Sequence, residues 1–331
     1  MNKIAVIVLN WNGEEDSLVC IDALKKQSLP HSIIAVDNGS TDNFVSKMEK
    51  IHPDIVLLKN SSNLGFAGGE NTGIKYAIDH GLNYVALINN DAFPDKNWLK
   101  ELVKSAGKNP KAGIVTGKLL KIDGTIDSTG DRYTSWGLAY PRGRGEEDSG
   151  LYDEVEEVFA GSGGASLYRI DMLKQTGLFD EDFFAYYEDV DLSFRAQLGG
   201  WKVVYTPTAI AHHKIGASSS KVSGLTTYMT IKNLPWLLWK NVPLRLMPLF
   251  LPRFTVAYAS IVLSSLAKGK VTPTLKGLAV ALIIMPKKLV QRRHIQSRRT
   301  VSTSYIKSII TKDLPPNASK LRRIRKFVKT G

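Results

Sequence analysis

The chain has 331 residues, of which 43% are hydrophobic, and a formal net charge of +13 at pH 7. This length provides for two domains or for one large domain with an extension, and the apolar content supports a sizeable core. A single cysteine, Cys20, excludes an intrachain disulfide and indicates a reducing compartment. The apolar run at residues 4–9 is too short for a signal peptide and is followed by no small-residue cleavage site, so none is expected.

The positive charge is concentrated in the last third of the chain. Residues 1–220 hold 22 Lys+Arg and 30 Asp+Glu, a net charge of −8. Residues 221–331 hold 22 Lys+Arg and one acid, Asp313, a net charge of +21. Such asymmetry predicts a polyanionic partner for the basic region, either a nucleic acid or an anionic membrane surface. We therefore expect a first domain at residues 1–220 and a basic region at residues 221–331.

Short apolar runs alternate with helical periodicity through the first domain. The expected elements are strands at 4–9, 33–36, 55–58, 84–88 and 112–116, and helices at 14–27, from 41 or 42 to 51, before Gly81 and at 98–108. This alternation predicts a doubly wound, mostly parallel α/β sheet. Residues 123–150, rich in Gly, Arg, Ser and Asp, are expected to form a long functional loop. A further strand at 201–205 is expected to end at Pro207.

Polar residues follow three of the predicted strands. Residues 10–13 follow the first strand, residues 37–42 the second, and Asn89-Asn90-Asp91 the strand at 84–88. Ligands of open α/β sheets bind beyond the carboxyl ends of the strands. The amides and carboxylate at 89–91 suit a hard divalent cation, which takes one or two carboxylates together with substrate phosphates. Turn chemistry explains each loop separately, but their shared position at one sheet edge favours a nucleotide site.

Two later segments carry further candidates. Gly161-Ser-Gly-Gly164 would let backbone approach a ligand closely. Glu188, Asp189 and Asp191 open a predicted helix directly after an aromatic run, which would hold at least one carboxylate in a partly desolvated wall, as a general base requires. A structural alternative is that these acids stabilise the helix end, with Asp191 and Arg195 forming an i,i+4 ion pair.

Two adjacent histidines, His212 and His213, follow the strand at 201–205. A lone histidine more often has a structural role than a ligand role. A pair beyond a strand, in a chain with a candidate metal carboxylate, makes one of the two a candidate metal ligand.

Six motifs resemble, in their order, those of family 2 glycosyltransferases. They are Asn10-Trp-Asn12, the segments 36–42 and 63–69, Asn89-Asn-Asp91, the segment 187–191, and His213. The chain looks like the bacterial branch that includes rhamnosyltransferases of cell-wall and polysaccharide assembly, over roughly residues 3–220. The resemblance implies a GT-A fold, a nucleotide-diphosphate sugar donor, a divalent metal (Mg²⁺ or Mn²⁺) and transfer with inversion.

The resemblance also implies roles for residues that match its motifs. Asn10 and Asn12 would line the nucleotide pocket, Asp37 would bind the nucleobase, and Gly65 and Asn71 would lie against the donor.

At the reacting end, Asn89 and Asp91 match the ends of the Asp-x-Asp motif of the family, Asp189 its catalytic base, and His213 a metal ligand of some members. The first Asp of that motif is Asn89 here, so the protein offers less charge and the diphosphate is expected to supply much of the metal coordination.

Acceptor contacts are expected near the predicted base. Gly164, Tyr187 and Glu188 are the candidates, and the aromatic rings of Phe184, Tyr186 and Tyr187 would stack on a sugar face. Simple core packing is the alternative for the aromatic rings.

The basic region combines charge with apolar stretches. Residues 254–267 carry no charge but are fewer than the roughly 20 residues that a membrane span requires. Six prolines are expected to break the region into short helices: Pro235, Pro243, Pro248, Pro252, Pro273 and Pro286. Aromatic residues and basic clusters, including residues 287–288, 292–293, 298–299 and 322–326, predict helices lying in an anionic membrane interface. A soluble helical domain with a solvated basic face is the alternative.

The resemblance and the basic region together imply a cytoplasmic, metal-dependent, inverting glycosyltransferase, peripheral on the inner face of the cell membrane. It would use a lipid-linked or polysaccharide acceptor. L-Rhamnose from dTDP-rhamnose is the favoured donor sugar, with galactofuranosyl and N-acetylhexosaminyl transfer left open. A non-catalytic, nucleotide-sensing, nucleic-acid-binding protein is the rival, but the acidic first domain and the apolar stretches argue against a nucleic-acid partner. A scaffold inactivated by Asn89 is disfavoured by Asp91 and Asp189. The sequence makes no prediction of the oligomeric state.

Overall fold

The computed structural model describes residues 3–214 and 222–314. The chain divides into two units. Unit 1 comprises residues 1–131 and 141–222, and unit 2 comprises residues 132–140 and 223–331. The predicted boundary at 220/221 and the basic cluster at 322–326 lie outside the described residues.

Ten strands of unit 1 form one mixed sheet. In chain order the strands of the protein are β1 (Ile4–Asn10), β2 (Ser32–Asp37), β3 (Val56–Lys59), β4 (Tyr84–Asn89), β5 (Ala92–Pro94), β6 (Ala112–Lys121), β7 (Ile126–Ser128), β8 (Asp131–Tyr133), β9 (Ala139–Pro141), β10 (Glu156–Val158), β11 (Ala165–Arg169) and β12 (Lys202–His213). The sheet order is β10-β12-β6-β11-β4-β1-β2-β3, with β5 paired to β12 and β7 to β6. Strands β8 and β9 pair separately.

Strand direction in this sheet follows the predicted fold. Strands β4, β1, β2 and β3 are parallel to one another, and β12 is parallel to β6. Strand β11 runs antiparallel between β4 and β6. The predicted α/β fold with a mostly parallel sheet is confirmed, and its carboxyl edge gathers the ends of β1, β2 and β4.

Helices cover both faces of the sheet. Those of unit 1 are α1 (Glu14–Lys25), α2 (Phe44–Ile51), α3 (Gly65–Asp79), α4 (Trp98–Lys108), α5 (Ile170–Thr176) and α6 (Glu188–Leu198). Successive residues of a strand point to opposite faces. Val6 of β1 accordingly belongs to the core cluster that includes Ile21 of α1, and Ile7 to the one that includes Ile74 of α3. Burial on both faces explains why these strands are continuous apolar runs.

Two predictions for residues 123–213 are wrong. Strand β12 does not end at Pro207 but continues to His213. Its pairing with β6 shifts register between Thr206 and Ile210, and such a bulge tolerates a proline that cannot donate to the ladder. The long loop expected at 123–150 contains three short strands, β7, β8 and β9. The continuation of β12 matters for the site, because it pairs His213 with Ala92 of β5.

The helices of unit 2 are longer than the prolines predicted. They are α7 (Leu225–Asn241), α8 (Met247–Ala267), α9 (Val271–Ser297) and α10 (Thr303–Ile309). Pro248 and Pro273 lie in first turns, where a missing N–H costs little. Pro235, Pro252 and Pro286 lie inside helices that continue past them. The expectation of short, proline-broken helices is therefore wrong, because packing of α7 against α8 and α9 outweighs the lost hydrogen bonds.

One helical segment among the described residues is long and apolar enough to cross a membrane. It comprises Leu244–Ala267, 24 residues. The uncharged run at 254–267 alone is too short for a membrane span. Helix α8 begins at Met247 and continues through Arg253, so the apolar helix is longer than the sequence predicts. Core helices of soluble proteins also have this length and composition.

Candidate active site

The ends of β1 and β2 bring three predicted nucleotide residues together. Asn10 and Asp37 are paired in register, and the Asn10 amide nitrogen lies 3.4 Å from the Asp37 Oδ1. The Ser40 nitrogen donates to the Asp37 Oδ2 at 3.2 Å, and the Thr41 nitrogen donates to the Asn12 Oδ1 at 2.7 Å. The loops after β1 and β2 are thus joined through their side chains, and Asn12 adopts a left-handed conformation with φ 51°.

Asn10 itself is fully buried. Its Oδ1 accepts hydrogen bonds from the Gly13 nitrogen at 3.2 Å and the Ser17 Oγ at 2.7 Å, and its Nδ2 donates to the Ser40 Oγ at 3.0 Å. The Asn90 amide nitrogen donates to the same Ser17 Oγ at 3.0 Å. Asn10 therefore shapes the loop and, through Ser17, connects the end of β1 to the end of β4. Its predicted contact with a nucleotide stays a prediction.

Gly65 and Asn71 hold the segment that precedes α6. Gly65 has φ +72°, and a Cβ there would lie 2.4 Å from the Phe184 carbonyl oxygen, so only glycine fits. The Asn71 side chain accepts from the Phe179 nitrogen at 3.0 Å and donates to the Phe179 oxygen and the Glu181 Oε1, both at 2.9 Å. Their predicted contact with the donor stays a prediction, since the structure shows them supporting this segment.

The second group of predicted residues meets where β4 ends and β12 returns. The His213 Nε2 lies 3.0 Å from the Asp91 Oδ1 and 3.3 Å from the Asn89 amide nitrogen. Asp91 is buried, and its carbonyl oxygen accepts from the Lys214 nitrogen at 2.9 Å. The structure thus brings His213 to Asn89 and Asp91, from which it is separated by 124 and 122 positions in the chain.

Asp127 of β7 completes this group and was missed in the sequence. Its Oδ2 lies 2.8 Å from the His213 Nδ1, and its Oδ1 forms an ion pair with the Arg144 Nη2 at 2.8 Å. Burial lowers the pKa of His213, but hydrogen bonds and charge from Asp127 and Asp91 outweigh it and raise that pKa to about 9. In the sequence, Asp127 is marked only by its position in the segment 123–150, which was predicted to be a functional loop.

Asp91 and His213 are spaced as two neighbouring ligands of one divalent ion would be. Mg²⁺ binds its ligands at about 2.1 Å in octahedral geometry, so two neighbouring ligands lie about 3 Å apart, as Asp91 and His213 do. Asp127 on the opposite ring nitrogen would fix the tautomer and orientation of the imidazole. Within residues 3–214 and 222–314, no group of three or more His, Cys, Asp and Glu side chains is arranged to hold a metal ion. The protein therefore offers a partial ligand set, which suits an ion completed by phosphate oxygens and water.

The predicted base lies in the first turn of α6, beside a glycine loop. The Asp189 Oδ2 accepts from the Gly163 nitrogen at 2.9 Å, and its Oδ1 accepts from the Val190 nitrogen at 2.8 Å. The carbonyl oxygen of Gly164 accepts from the Asn89 nitrogen at 2.9 Å. Residues 161–164 thus connect Asp189 to the group around Asn89, and Gly164 lies between the two.

The segment before α6 has an unusual backbone. Phe184, Tyr186 and Tyr187 adopt positive φ angles of 65°, 69° and 72°. Left-handed conformations are costly for bulky residues and persist where surrounding contacts over-determine them, which is most frequent at functional sites. Tyr187 is the N-cap of α6, so this conformation sets the direction in which Glu188 and Asp189 enter the helix. Stacking of these rings on an acceptor stays a prediction.

Burial changes the acidity of two carboxyl groups. Desolvation raises the pKa of Asp189 despite its hydrogen bonds from main-chain nitrogens. Desolvation, together with the negative charge of Asp189, raises the pKa of Asp131 to about 7. A carboxylate whose proton affinity is raised in this way is a better general base than an exposed aspartate.

Asp191 has a structural role, as in the alternative interpretation in which it pairs with Arg195. It is fully buried, and its Oδ2 accepts from the Arg195 Nε at 2.9 Å. The Arg195 guanidinium also donates to the carbonyl oxygens of Thr176, Gly177 and Leu178 at 2.7 to 3.0 Å. Asp191 therefore anchors α6 to the end of α5, and Glu188 and Asp189 are the acids left for the site.

Residues 5–177 match the family model for glycosyl transferase family 2. One similar curated protein is the N-acetylglucosaminyl-diphospho-decaprenol L-rhamnosyltransferase of Mycobacterium tuberculosis, 31% identical over 212 residues. The match covers 56% of this chain and 67% of that protein. The low-salt glycan biosynthesis hexosyltransferase Agl10 of Haloferax volcanii is 26% identical over 204 residues, covering 60% of this chain and 62% of the relative.

Solved structures share the fold at low identity. The mannosyltransferase PcManGT of Pyrobaculum calidifontis, in complex with GDP-Man and Mn²⁺, has a TM-score of 0.53 at 16% identity, covering 89% of this chain and 85% of that one. TarS of S. aureus in complex with UDP has a TM-score of 0.56 at 16% identity, covering 95% and 94%. These likenesses confirm the predicted GT-A fold. With the family model matched over more than half of its residues, the chain belongs to glycosyl transferase family 2.

Proposed function

We propose that the protein transfers a sugar from a nucleotide-diphosphate donor to a lipid-linked or polysaccharide acceptor, with inversion, in cell-envelope glycan synthesis. The observation that carries this proposal is the loop at 161–164, which joins the first turn of α6 to the end of β4. The same loop therefore links Asp189 to Asn89. A base and a diphosphate site must lie close together to act on one sugar–phosphate bond.

Asp189 is the base in this proposal. It takes the proton from an acceptor hydroxyl while that oxygen bonds to the anomeric carbon, and the bond to the phosphate breaks so that the nucleotide diphosphate leaves with the electron pair. A single displacement of this kind inverts the anomeric centre. The carboxylate has about four acceptor positions, of which Gly163 and Val190 occupy two, so capacity remains for the acceptor hydroxyl.

Mg²⁺ or Mn²⁺ would be held by Asp91 and His213, with Asn89 beside them. When bound there, the ion would stabilise the negative charge on the leaving diphosphate. The contact of 3.0 Å between the two side chains supports this assignment, as does the Mn²⁺ named for the similar mannosyltransferase. Asn90 and Ser17 would keep this group in register with the end of β1, where Asp37 and Asn12 are proposed to bind the nucleotide.

The proposed donor is dTDP-L-rhamnose. The support is the 31% identity to an L-rhamnosyltransferase, and a hexosyl donor is the alternative that the relative from Haloferax volcanii favours. Incubation of the full chain with a panel of nucleotide sugars, with and without a polyprenyl-diphosphate glycan, tests both parts. Preferential hydrolysis or transfer from dTDP-L-rhamnose supports the proposal. Preference for another sugar overturns the donor, and the absence of hydrolysis and transfer throughout the panel overturns the function.

We further propose that unit 2 attaches the enzyme to the inner face of the cell membrane as a peripheral protein. Helices α8 and α9 carry exposed apolar side chains, including Leu263, Leu282, Ile283 and Val290, each 65 to 73% exposed. The sequence from 221 to 331 has 22 basic residues and one acid. Apolar side chains next to many positive charges are typical of helices that lie in an anionic membrane surface.

A further inference from the structure

Arg144 is an exposed cation next to the proposed metal ligands. Its Nη2 forms an ion pair of 2.8 Å with the Asp127 Oδ1, and its Nε donates to the Asp127 carbonyl oxygen at 3.1 Å. The Asp127 Oδ2 in turn lies 2.8 Å from the His213 Nδ1, and the His213 Nε2 lies 3.0 Å from the Asp91 Oδ1. Three contacts in series therefore connect the guanidinium to Asp91.

The turn that carries Arg144 is fixed to β7, the strand of Asp127. The Gly145 nitrogen donates to the Ile126 oxygen at 2.8 Å, and the Ile126 nitrogen donates to the Glu146 oxygen at 2.9 Å. Gly143 and Gly145 have φ angles of +77° and +82°, which glycine adopts without strain and which allow the tight turn. The backbone of Arg144 is therefore held in place by hydrogen bonds to β7.

Asp127 leaves part of the guanidinium available to a ligand. An arginine side chain carries five N–H donors in a planar fork. Within residues 3–214 and 222–314, its hydrogen bond is the one from Nε, and its ion pair involves Nη2. The Arg144 side chain is 52% exposed, whereas that of Asp127 is 2% exposed. The cation thus faces solvent while the anion that anchors it is buried.

The group around Asp91 is otherwise rich in negative charge. Asp91 and Asp127 lie on the two nitrogens of the His213 ring. Burial raises the pKa of Asp189, and the positive charge of Arg144 opposes that rise. A guanidinium matches two phosphate oxygens with parallel N–H donors, and such charge-assisted bonds are stronger than those between neutral groups. Arg144 therefore has the chemistry that a phosphate ligand requires.

We propose that Arg144 binds a diphosphate group of a substrate through the N–H donors that Asp127 does not use. The proposal rests on the proposed function, in which two substrates carry this group. They are the nucleotide-diphosphate sugar and the lipid-linked acceptor. Asp127 would then have two roles, because it orients His213 with one oxygen and anchors the phosphate-binding guanidinium with the other.

Binding of inorganic diphosphate to the full chain in Mg²⁺ buffer tests the contact without turnover. We expect Arg144→Gln to weaken this binding about 10–100-fold, as the loss of hydrogen bonds to a charged group does. Arg144→Lys keeps the charge without the planar fork and should weaken it by a smaller factor. Lys104→Gln removes a charge from an exposed ion pair with Glu101 and should change nothing. Binding by Arg144→Gln within about twofold of wild type, or none by wild type, overturns the proposal.

A merely structural role, in which Arg144 orients His213 through Asp127, predicts a different pattern. The test is Arg144→Gln in a His213→Ala background. A direct phosphate contact predicts the same fold loss in diphosphate affinity as in the wild-type background. Action through His213 predicts no further loss, because the two residues would then act as a unit, and this result overturns the proposal. Thermal unfolding of each variant verifies that folded protein is compared.

Two kinds of diphosphate ester distinguish the substrates. A loss of affinity in Arg144→Gln for dTDP and UDP assigns the contact to the donor, and a loss for farnesyl diphosphate alone assigns it to the acceptor. A loss for none of these compounds overturns the proposal. If the wild-type chain transfers sugar while Arg144→Gln binds every probe as wild type does, only this inference is wrong. If no sugar is transferred but diphosphate binding depends on Arg144, the proposed function fails and the phosphate contact stands.

Discussion

The main-chain nitrogen of Gly163 donates a hydrogen bond to the Oδ2 of Asp189 at 2.9 Å. The next residue accepts from the Asn89 nitrogen through its carbonyl oxygen. A substitution that moves the backbone of Gly163 should therefore also move the Asp189 carboxylate.

Gly163→Ala should lower kcat more than it raises donor KM. A Cβ there would lie 3.1 Å from the Asp189 Oδ2 and 3.4 Å from the Phe66 Cζ, so the carboxylate must shift by a few tenths of an ångström. We expect a loss of about tenfold in kcat, below the 10²-fold that a full ångström can cost. Gly107→Ala in α4 is the matched control, because nothing lies within 4 Å of its Cβ. Wild-type kcat in Gly163→Ala would contradict the placement of Asp189.

Asp189→Asn should separate binding from chemistry. The amide keeps the size of the side chain but removes its basicity, so donor binding should persist while transfer falls by about 10²–10⁴-fold. Calorimetry with the donor and single-turnover transfer measure the two quantities. If Glu188→Gln is the inactive variant and Asp189→Asn is active, the base is Glu188.

Asp131→Asn should change the pH dependence of stability and leave the acid limb of the activity profile in place. Desolvation and the charge of Asp189 raise the pKa of Asp131 to about 7. Asp131 is therefore protonated where Asp189 ionises, and a neutral Asn at this position removes no charge from the surroundings of the base. The folded state also binds a proton at Asp131 that the unfolded state has lost, so wild-type stability decreases between about pH 4 and 7. Asn at this position should remove that decrease.

Two measurements check this prediction: kcat/KM against pH, and urea unfolding at pH 5 and pH 8. Asp123→Asn is the control, since Asp123 is exposed and its Oδ1 accepts hydrogen bonds from the nitrogen and the hydroxyl of Thr125. A stability difference between pH 5 and pH 8 that Asp131→Asn leaves unchanged would contradict the raised pKa of Asp131.

Metal removal should abolish transfer. EDTA should inactivate the enzyme, and Mg²⁺ or Mn²⁺ should restore it. Asp91→Ala should weaken donor binding in metal-containing buffer but cause little further loss in EDTA, because an ion and its ligand act as a unit. His213→Ala should have a milder effect, and Asp95→Ala, at an exposed side chain, none. Full transfer in excess chelator would rule out the metal.

Substitution of exposed apolar residues in α9 should weaken membrane attachment. Leu282→Gln with Ile283→Gln removes two side chains that are 73% and 72% exposed, and each buried aliphatic group contributes about 1.5–3 kcal/mol. Flotation with anionic vesicles should decrease at least tenfold at high salt, where the charge attraction is screened. Leu151→Gln with Val155→Gln makes the same change at exposed positions of unit 1 and should have no effect.

Two flotation results would contradict the peripheral proposal. Complete release of the wild-type chain at moderate salt would mean that charge alone binds it. Retention through both high salt and carbonate would mean that a helix such as the segment Leu244–Ala267 crosses the membrane.

The elements of unit 1 were predictable because their causes are local. An apolar run such as Tyr84–Asn89 ending in polar residues is sufficient to indicate a buried parallel strand. The position of Asp189 at the start of α6 followed from the acids of the first turn and the aromatic run before them. The prolines of unit 2 gave the wrong result, because the loss of one hydrogen bond is a local penalty that packing between helices outweighs.

Contacts between distant segments were decided by the tertiary structure. The sequence by itself determined that Asp91 and His213 are candidate ligands and that Asp189 is a candidate base. Only the fold places Asp127 on the second nitrogen of His213 and Gly163 on Asp189. The contact between Asp127 and His213 depends on the pairing of β7 and β12 with β6, and strand register is set by the burial of whole faces rather than by neighbouring residues.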